Sequence, residues 1–136
     1  MLAGNFLGID HVHVYVRDRL TAQQWYQRVL GLQTVAELAV WADDGGPLTL
    51  ANAEGSVHLA LFQRPHQACR STIALRVTAT DLLVWQKHLT QVLQQEIQLV
   101  DHALSWSLYF ADPDGNPYEV TSYEYQAVLT LQNIKA

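Results

Sequence analysis

The segment YFADPDGNPYEVTSY (109–123) falls without a gap on LTLANAEGSVHLALF (48–62) when the chain is shifted by 61 positions. Turn meets turn and strand meets strand. The same shift sets HVHVYV (11–16) on TIALRV (72–77), and Trp25 finds Trp85 after a one-residue slip. A repeat of this length is one supersecondary unit that needs a partner to cover its sheet, so the reading is of two modules of about 60 residues. We place them at 7–63 and 71–125 of a single domain, 1–136, with a linker at 64–70 and a C-terminal tail at 126–136.

Each module carries the same order of signals. From 9 to 16, His11, His13 and Tyr15 alternate with Val12, Val14 and Val16, which is the period of a strand with two unlike faces. Ala22, Trp25, Tyr26, Val29 and Leu30 then recur at helical spacing, with Thr21 and Gln24 as an expected capping box and Gly31 as the stop. Strand patterns follow at 35–42, 48–51 and 57–63, separated by turn clusters at 43–47 and 52–55. In the second module a strand at 72–77 precedes a helix with Leu82, Trp85, Leu89, Val92 and Leu93 on one stripe and Thr80 as the expected N-cap. Strands at 96–100, 105–111 and 117–124 complete it, the last two joined by the strong turn DPDGN at 112–116. The class is α+β, built from two tandem βαβββ modules. The tail, AVLTLQNIKA, is mildly apolar and suited to packing on the domain or on a partner subunit.

Composition narrows the function classes. The 136 residues carry 8 Lys and Arg against 13 Asp and Glu, a formal charge of -5. That balance speaks against a phosphate-binding surface and so against nucleic acid as a partner. No apolar run approaches the roughly 20 residues of a membrane span. One cysteine, Cys69, and the lack of a secretory signal pattern fit a cytoplasmic chain.

On the strand face away from the helices lie His11, His13 and Tyr15, then His58, Ala60 and Phe62. The second module sets Thr72, Ala74 and Arg76, then Glu119, Thr121 and Tyr123 on the corresponding face. Under the 61-residue shift, position 11 answers to 72 and 58 to 119. Two imidazoles and a carboxylate are a ligand set for Fe(II), Mn, Zn, Ni or Co with coordination positions left open. His58 stands in the apolar strand VHLALF, where it is either a ligand or a satisfied core histidine. Glu119 in a strand implies a metal or an Arg partner, and Arg76 is the competing partner.

The paired modules resemble the vicinal oxygen chelate superfamily of glyoxalase I, the fosfomycin- and bleomycin-resistance proteins and the extradiol dioxygenases. IDHVHVYV with WYQRVLGL, and YFADPDGNPYEV, carry the resemblance over about residues 7–125. It implies an open eight-stranded cup with one divalent metal held from the first and last strands of each module, at His11, His58, Thr72 and Glu119. Thr72 departs from the His common at its place in the extradiol and fosfomycin-resistance branches, so His58 is needed in its stead. VDHALSWSLYFADPDGNPYE further resembles the last-strand signature of the extradiol enzymes. By that likeness His102 is the acid-base histidine and Tyr109 the phenol that binds a catecholate oxygen. The implied function is a metal-dependent, extradiol-like dioxygenase with Fe(II) favoured and His11, His58 and Glu119 as ligands. The alternatives are a glyoxalase I-like lyase or isomerase using Zn, Ni or Co, and a metal-free small-molecule binder of bleomycin-resistance type. His13, Tyr15, Trp41, Phe62, Thr72, Arg76, Trp106 and Tyr123 are the expected pocket wall for an aromatic or vicinal-oxygen substrate, and a homodimer is the implied assembly. Trp25 and Trp85 are expected in the core.

Overall fold

In the computed structural model, which describes residues 3–135, the chain divides into two compact units, Met1–Gln67 and Ala68–Ala136. Each is βαβββ with one mixed four-stranded sheet, so the α+β class and the repeated module both hold.

In unit one, β1 (Val12–Val16) leads into α1 (Arg19–Leu30), followed by β2 (Gln33–Thr34), a 3₁₀ helix (Ala36–Ala42), β3 (Leu48–Ala51) and β4 (His58–Gln63). The sheet order is β1-β4-β3-β2, with β1 parallel to β4 and the other pairs antiparallel. Alternation sends Val14, Val16, Leu59 and Leu61 to one face, where Ala22, Trp25, Tyr26, Val29 and Leu30 of α1 are buried. The helix starts three residues before the expected capping box. Asp18 is the N-cap, its carboxylate accepting from the Thr21 backbone N–H at 2.9 Å, and that bond holds the Asp18 pKa below its ordinary value. Gly31 ends it as expected, in the left-handed region at φ 69°, with its N–H on the Gln27 carbonyl and that of Leu32 on the Tyr26 carbonyl.

The segment expected as a strand at 35–42 is the main departure. The ladder stops after Thr34, Val35 donates once more to the Thr49 carbonyl, and AELAVWA then coils into the 3₁₀ turn. Its apolar run has no alternation and three alanines, so periodicity did not separate strand from helix there.

In unit two, β5 (Ile73–Arg76), α2 (Ala79–Leu93), β6 (Val100–Asp101), β7 (Trp106–Ala111) and β8 (Pro117–Ser122) repeat the pattern in the order β5-β8-β7-β6. Thr78 rather than Thr80 is the N-cap of α2, accepting from the Asp81 N–H at 3.2 Å. Leu108, Phe110, Tyr118 and Val120 are buried, as are Leu82 and Leu89 of α2. Trp25 is in the core as expected, whereas Trp85 is half-buried and edge-on to His88. The C-terminal tail is a third helix, α3 (Tyr125–Lys135), which contacts α2 and buries Val128 completely.

Internal register also corrects the ungapped repeat. Residues 52–57 separate β3 from β4, but only 112–116 separate β7 from β8. As a result Ala60 pairs with His13 and Thr49, while Glu119 pairs with Ala74 and Tyr109. Ala60 is therefore the counterpart of Glu119, and His58 answers to Pro117, two residues earlier on the same face. The ungapped shift missed this because the total slip is two residues, one of them in the β3–β4 turn, and a two-residue slip leaves strand alternation in phase.

Leu50 is fully buried at the centre of the unit-one sheet. Leu50→Ala is expected to lower unfolding free energy by about 2–5 kcal/mol in a urea titration, and a loss under about 1 kcal/mol would contradict the core assignment.

Candidate functional site

The strand face opposite the helix gathers chemistry in each unit separately. In unit one the parallel register starts at Val12↔Leu59, so His11, one residue before it, comes level with His58 at the head of β4. Both line a cleft of about 140 Å³ with Asp10, Leu38, Trp41, Pro47, Thr49 and Ala60. His11 Nδ1 is 2.8 Å from Asp10 Oδ2, and since a carboxylate has no proton to give, the ring N–H donates. That contact orients the ring, as a carboxylate behind a metal-ligating imidazole does. His11 Nε2 faces His13 Nε2 at 3.1 Å, and the two rings stack 5.0 Å apart. His13 in turn leans on Phe62, which also meets Tyr15. His58 has no side-chain hydrogen-bond partner among the described residues.

The wall carrying Trp41 is a strap pinned from α1. Arg19 donates through Nη1 to the Gly46 carbonyl at 2.9 Å and through Nη2 to the Ala42 carbonyl at 3.2 Å. A Cβ on Gly46 would collide with the Trp41 carbonyl oxygen, so this turn admits only glycine. Trp41 itself is 54% exposed beside the cleft.

In unit two the antiparallel register sets Tyr109 opposite Glu119 and Ser107 opposite Thr121. Ser107 Oγ donates to Glu119 Oε2 at 2.7 Å, and the Ser107 and Thr121 hydroxyls lie 2.9 Å apart. His102 Nε2 is 2.7 Å from the Tyr109 hydroxyl, with the rings edge to face. A tight turn brings His102 there: its N–H bonds the Ser105 carbonyl, and Ala103 adopts φ 69°, a left-handed conformation usually left to glycine. The Asp101 carboxylate steadies that turn by accepting from the Ala103 N–H, and its other oxygen accepts from the Tyr125 hydroxyl, raising the Tyr125 pKa. Partial burial and then the nearby Glu119 carboxylate raise the pKa of Tyr109.

The other expected residues are placed as follows. Arg76 lies over the Tyr123 ring at 5.9 Å and forms no ion pair with Glu119 among the described residues. Thr72 is exposed just before β5, and the ladder partner of Glu119 is Ala74. Trp106, expected on the pocket wall, is buried on the opposite face with Leu108 and Phe110. There it stacks on Tyr125 and donates Nε1–H to the Tyr125 carbonyl, anchoring α3. Ser107, Asp10 and Arg19 escaped the sequence reading. The signal for Ser107 was its spacing, two residues before Tyr109 on the same strand face. Among the described residues no group of three or more His, Cys, Asp or Glu side chains gathers to hold a metal ion, and no helix is long and apolar enough to cross a membrane.

A family model described as the Glyoxalase/Bleomycin resistance protein/Dioxygenase superfamily matches residues 8–120. No curated protein matches the chain. Among solved structures, the fosfomycin resistance protein FosX from Listeria monocytogenes, complexed with Mn(II) and sulfate, is similar at 11% identity. The match covers 94% of this chain and 99% of that one, with TM-score 0.64. A glyoxalase/dioxygenase from Nostoc punctiforme is 18% identical over 90% of this chain and 95% of its own, with TM-score 0.67. Lactoylglutathione lyase from Agrobacterium tumefaciens is 19% identical over 87% and 95%, with TM-score 0.66. At these identities the likeness concerns the fold.

Two outcomes follow from the geometry. Arg19→Met should free the strap, with stability lower by about 1–3 kcal/mol and greater access of a soluble quencher to Trp41 fluorescence. Unchanged quenching would contradict the clamp. Because its folded-state pKa is raised above the ordinary 10.0, Tyr109 adds stability that is present below that pH and is lost as pH rises through its raised value. Glu119→Gln should therefore move the Tyr109 phenolate transition to lower pH in ultraviolet absorbance, with Tyr109→Phe identifying the signal. A transition that does not move would contradict the coupling.

Proposed function

The chain belongs to the Glyoxalase/Bleomycin resistance protein/Dioxygenase superfamily, and from that premise we propose that it is a metal-dependent enzyme acting on a small molecule with two adjacent oxygens. The preferred reaction is extradiol-like cleavage of a catechol-like ring. The observation that carries this reading is the contact of His102 Nε2 with the Tyr109 hydroxyl at 2.7 Å, on the strand that sets Tyr109 opposite Glu119.

The donor chemistry fits a divalent cation. His11 is oriented by Asp10 through Nδ1, His58 lines the same cleft with its ring unengaged, and Glu119 is a half-buried carboxylate. In this reading His11, His58 and Glu119 are the ligands, and Fe(II) is the favoured ion. When bound, such an ion supplies a Lewis acid for adjacent substrate oxygens and, as Fe(II), a partner for dioxygen.

The chain's own groups supply the rest. With its pKa raised, the Tyr109 phenol keeps its proton at neutral pH and donates a hydrogen bond to a substrate oxygen. His102, an exposed imidazole in contact with the Tyr109 hydroxyl, takes up and returns the proton that the substrate hydroxyl releases. Trp41 offers an aromatic plane beside His11 and His58 against which a ring can lie. A homodimer in the cytoplasm remains part of this proposal.

A second reading, a metal-free binder of bleomycin-resistance type, is supported by one observation: no trio of ligand side chains gathers among the described residues.

Protein loaded with Fe(II) under anaerobic conditions and then given catechol and dioxygen should consume oxygen and form a ring-opened product. His102→Gln should lower kcat by about 10²–10⁴-fold and leave KM within a few fold. Metal-loaded protein inert to catechols but active on a glutathione hemithioacetal would replace cleavage with isomerisation. Tight binding of an aromatic ligand without any metal would support the binder instead.

A further inference from the structure

Ser107 is fully buried in the middle of β7, on the strand face it shares with Tyr109. A hydroxyl placed there must be satisfied, because an unpartnered buried polar group is costly. It is satisfied in one direction. The Glu119 carboxylate can only accept, so the single Ser107 proton goes to Oε2 at 2.7 Å. The Ser107 lone pairs face Thr121, whose hydroxyl lies 2.9 Å away and has a second acceptor in the Trp106 carbonyl at 3.3 Å. With the Thr121 proton on Ser107, two hydroxyls donate in series and end on one oxygen of Glu119.

The terminal torsion of a glutamate side chain is otherwise broad. Pinning Oε2 from a fully buried, strand-borne donor fixes the plane of the carboxylate. Sheet stability alone asks for a Ser–Thr pair at most, a common cross-strand contact; it does not ask for a half-buried carboxylate at the end of that pair.

We infer that Ser107 is a positioning residue that orients the Glu119 carboxylate for a divalent cation, with Thr121 orienting Ser107 in turn. The inference rests on the proposed metal-dependent reading and adds a specific hydrogen bond behind one ligand, of the kind that tunes metal affinity in other proteins.

The test is equilibrium titration of the full chain with Co(II), read by its visible absorption bands, and with Mn(II) by calorimetry. Ser107→Ala should weaken affinity by about 10–100-fold while the far-ultraviolet circular dichroism and melting midpoint stay near those of the parent. Ser107→Thr, which returns the hydroxyl, should restore most of the affinity. Ser107→Cys, nearly isosteric but a poor donor, should fall between and serves if the alanine variant folds badly. Unchanged affinity in Ser107→Ala and Ser107→Cys, beside a loss in Glu119→Gln, would overturn the positioning role and leave the metal reading intact. No Co(II) or Mn(II) binding by the parent chain would overturn both.

Discussion

The β7–β8 ladder is the constraint on which the rest depends. Antiparallel pairing fixes Tyr109 opposite Glu119 and Ser107 opposite Thr121, and strand alternation then forces Trp106, Leu108 and Phe110 to the other face. A slip of one residue would exchange the two faces entirely. The DPDGN turn prevents that slip: Asp112 Oδ1 accepts from the backbone N–H groups of Asp114 and Asn116, and Oδ2 accepts from the Asn116 amide. The turn chemistry, the buried face and the polar face are therefore one decision made once.

Unit one uses the same physics with different contents. His11 comes level with His58 just before its ladder begins, and β4 runs two residues out of step with the 61-residue repeat, so the imidazole of His58 and the carboxylate of Glu119 occupy different levels of otherwise equivalent strands. The polar face lies opposite α1 and is walled at its cleft by Leu38 and Trp41 of the 3₁₀ turn. Asp10 orients His11 there, and Arg19 holds the strap that brings Trp41 to the cleft. Side chains from three different elements are thus held by hydrogen bonds to backbone or to neighbouring rings rather than by packing alone.

Much of this was legible in the sequence because it follows from period and turn residues. Alternation at 11–16 and 117–122, helical spacing of Ala22, Trp25, Tyr26, Val29 and Leu30, and the glycine at 31 each have one physical reading. The juxtaposition of His102 with Tyr109 was legible only through family resemblance, since the turn at Ala103 that creates it has a left-handed residue no local rule foretells. The 3₁₀ segment and both helix N-caps were misplaced for a related reason. Thr21 and Asp18, or Thr80 and Thr78, are all competent caps, and the winner is set by where the preceding strand releases the chain. Ser107 was passed over because a serine in a strand has no signature until its partner across the ladder is known.

The most direct measurement is transition-metal content per chain by mass spectrometry, on untagged protein purified without oxygen, beside His11→Ala and Glu119→Ala. About one metal ion per chain, lost in both variants, is the expected result for a single centre with open coordination positions. Metal absent from the parent after reconstitution, or retained at the same level in both variants, would contradict the central claim that these residues hold it.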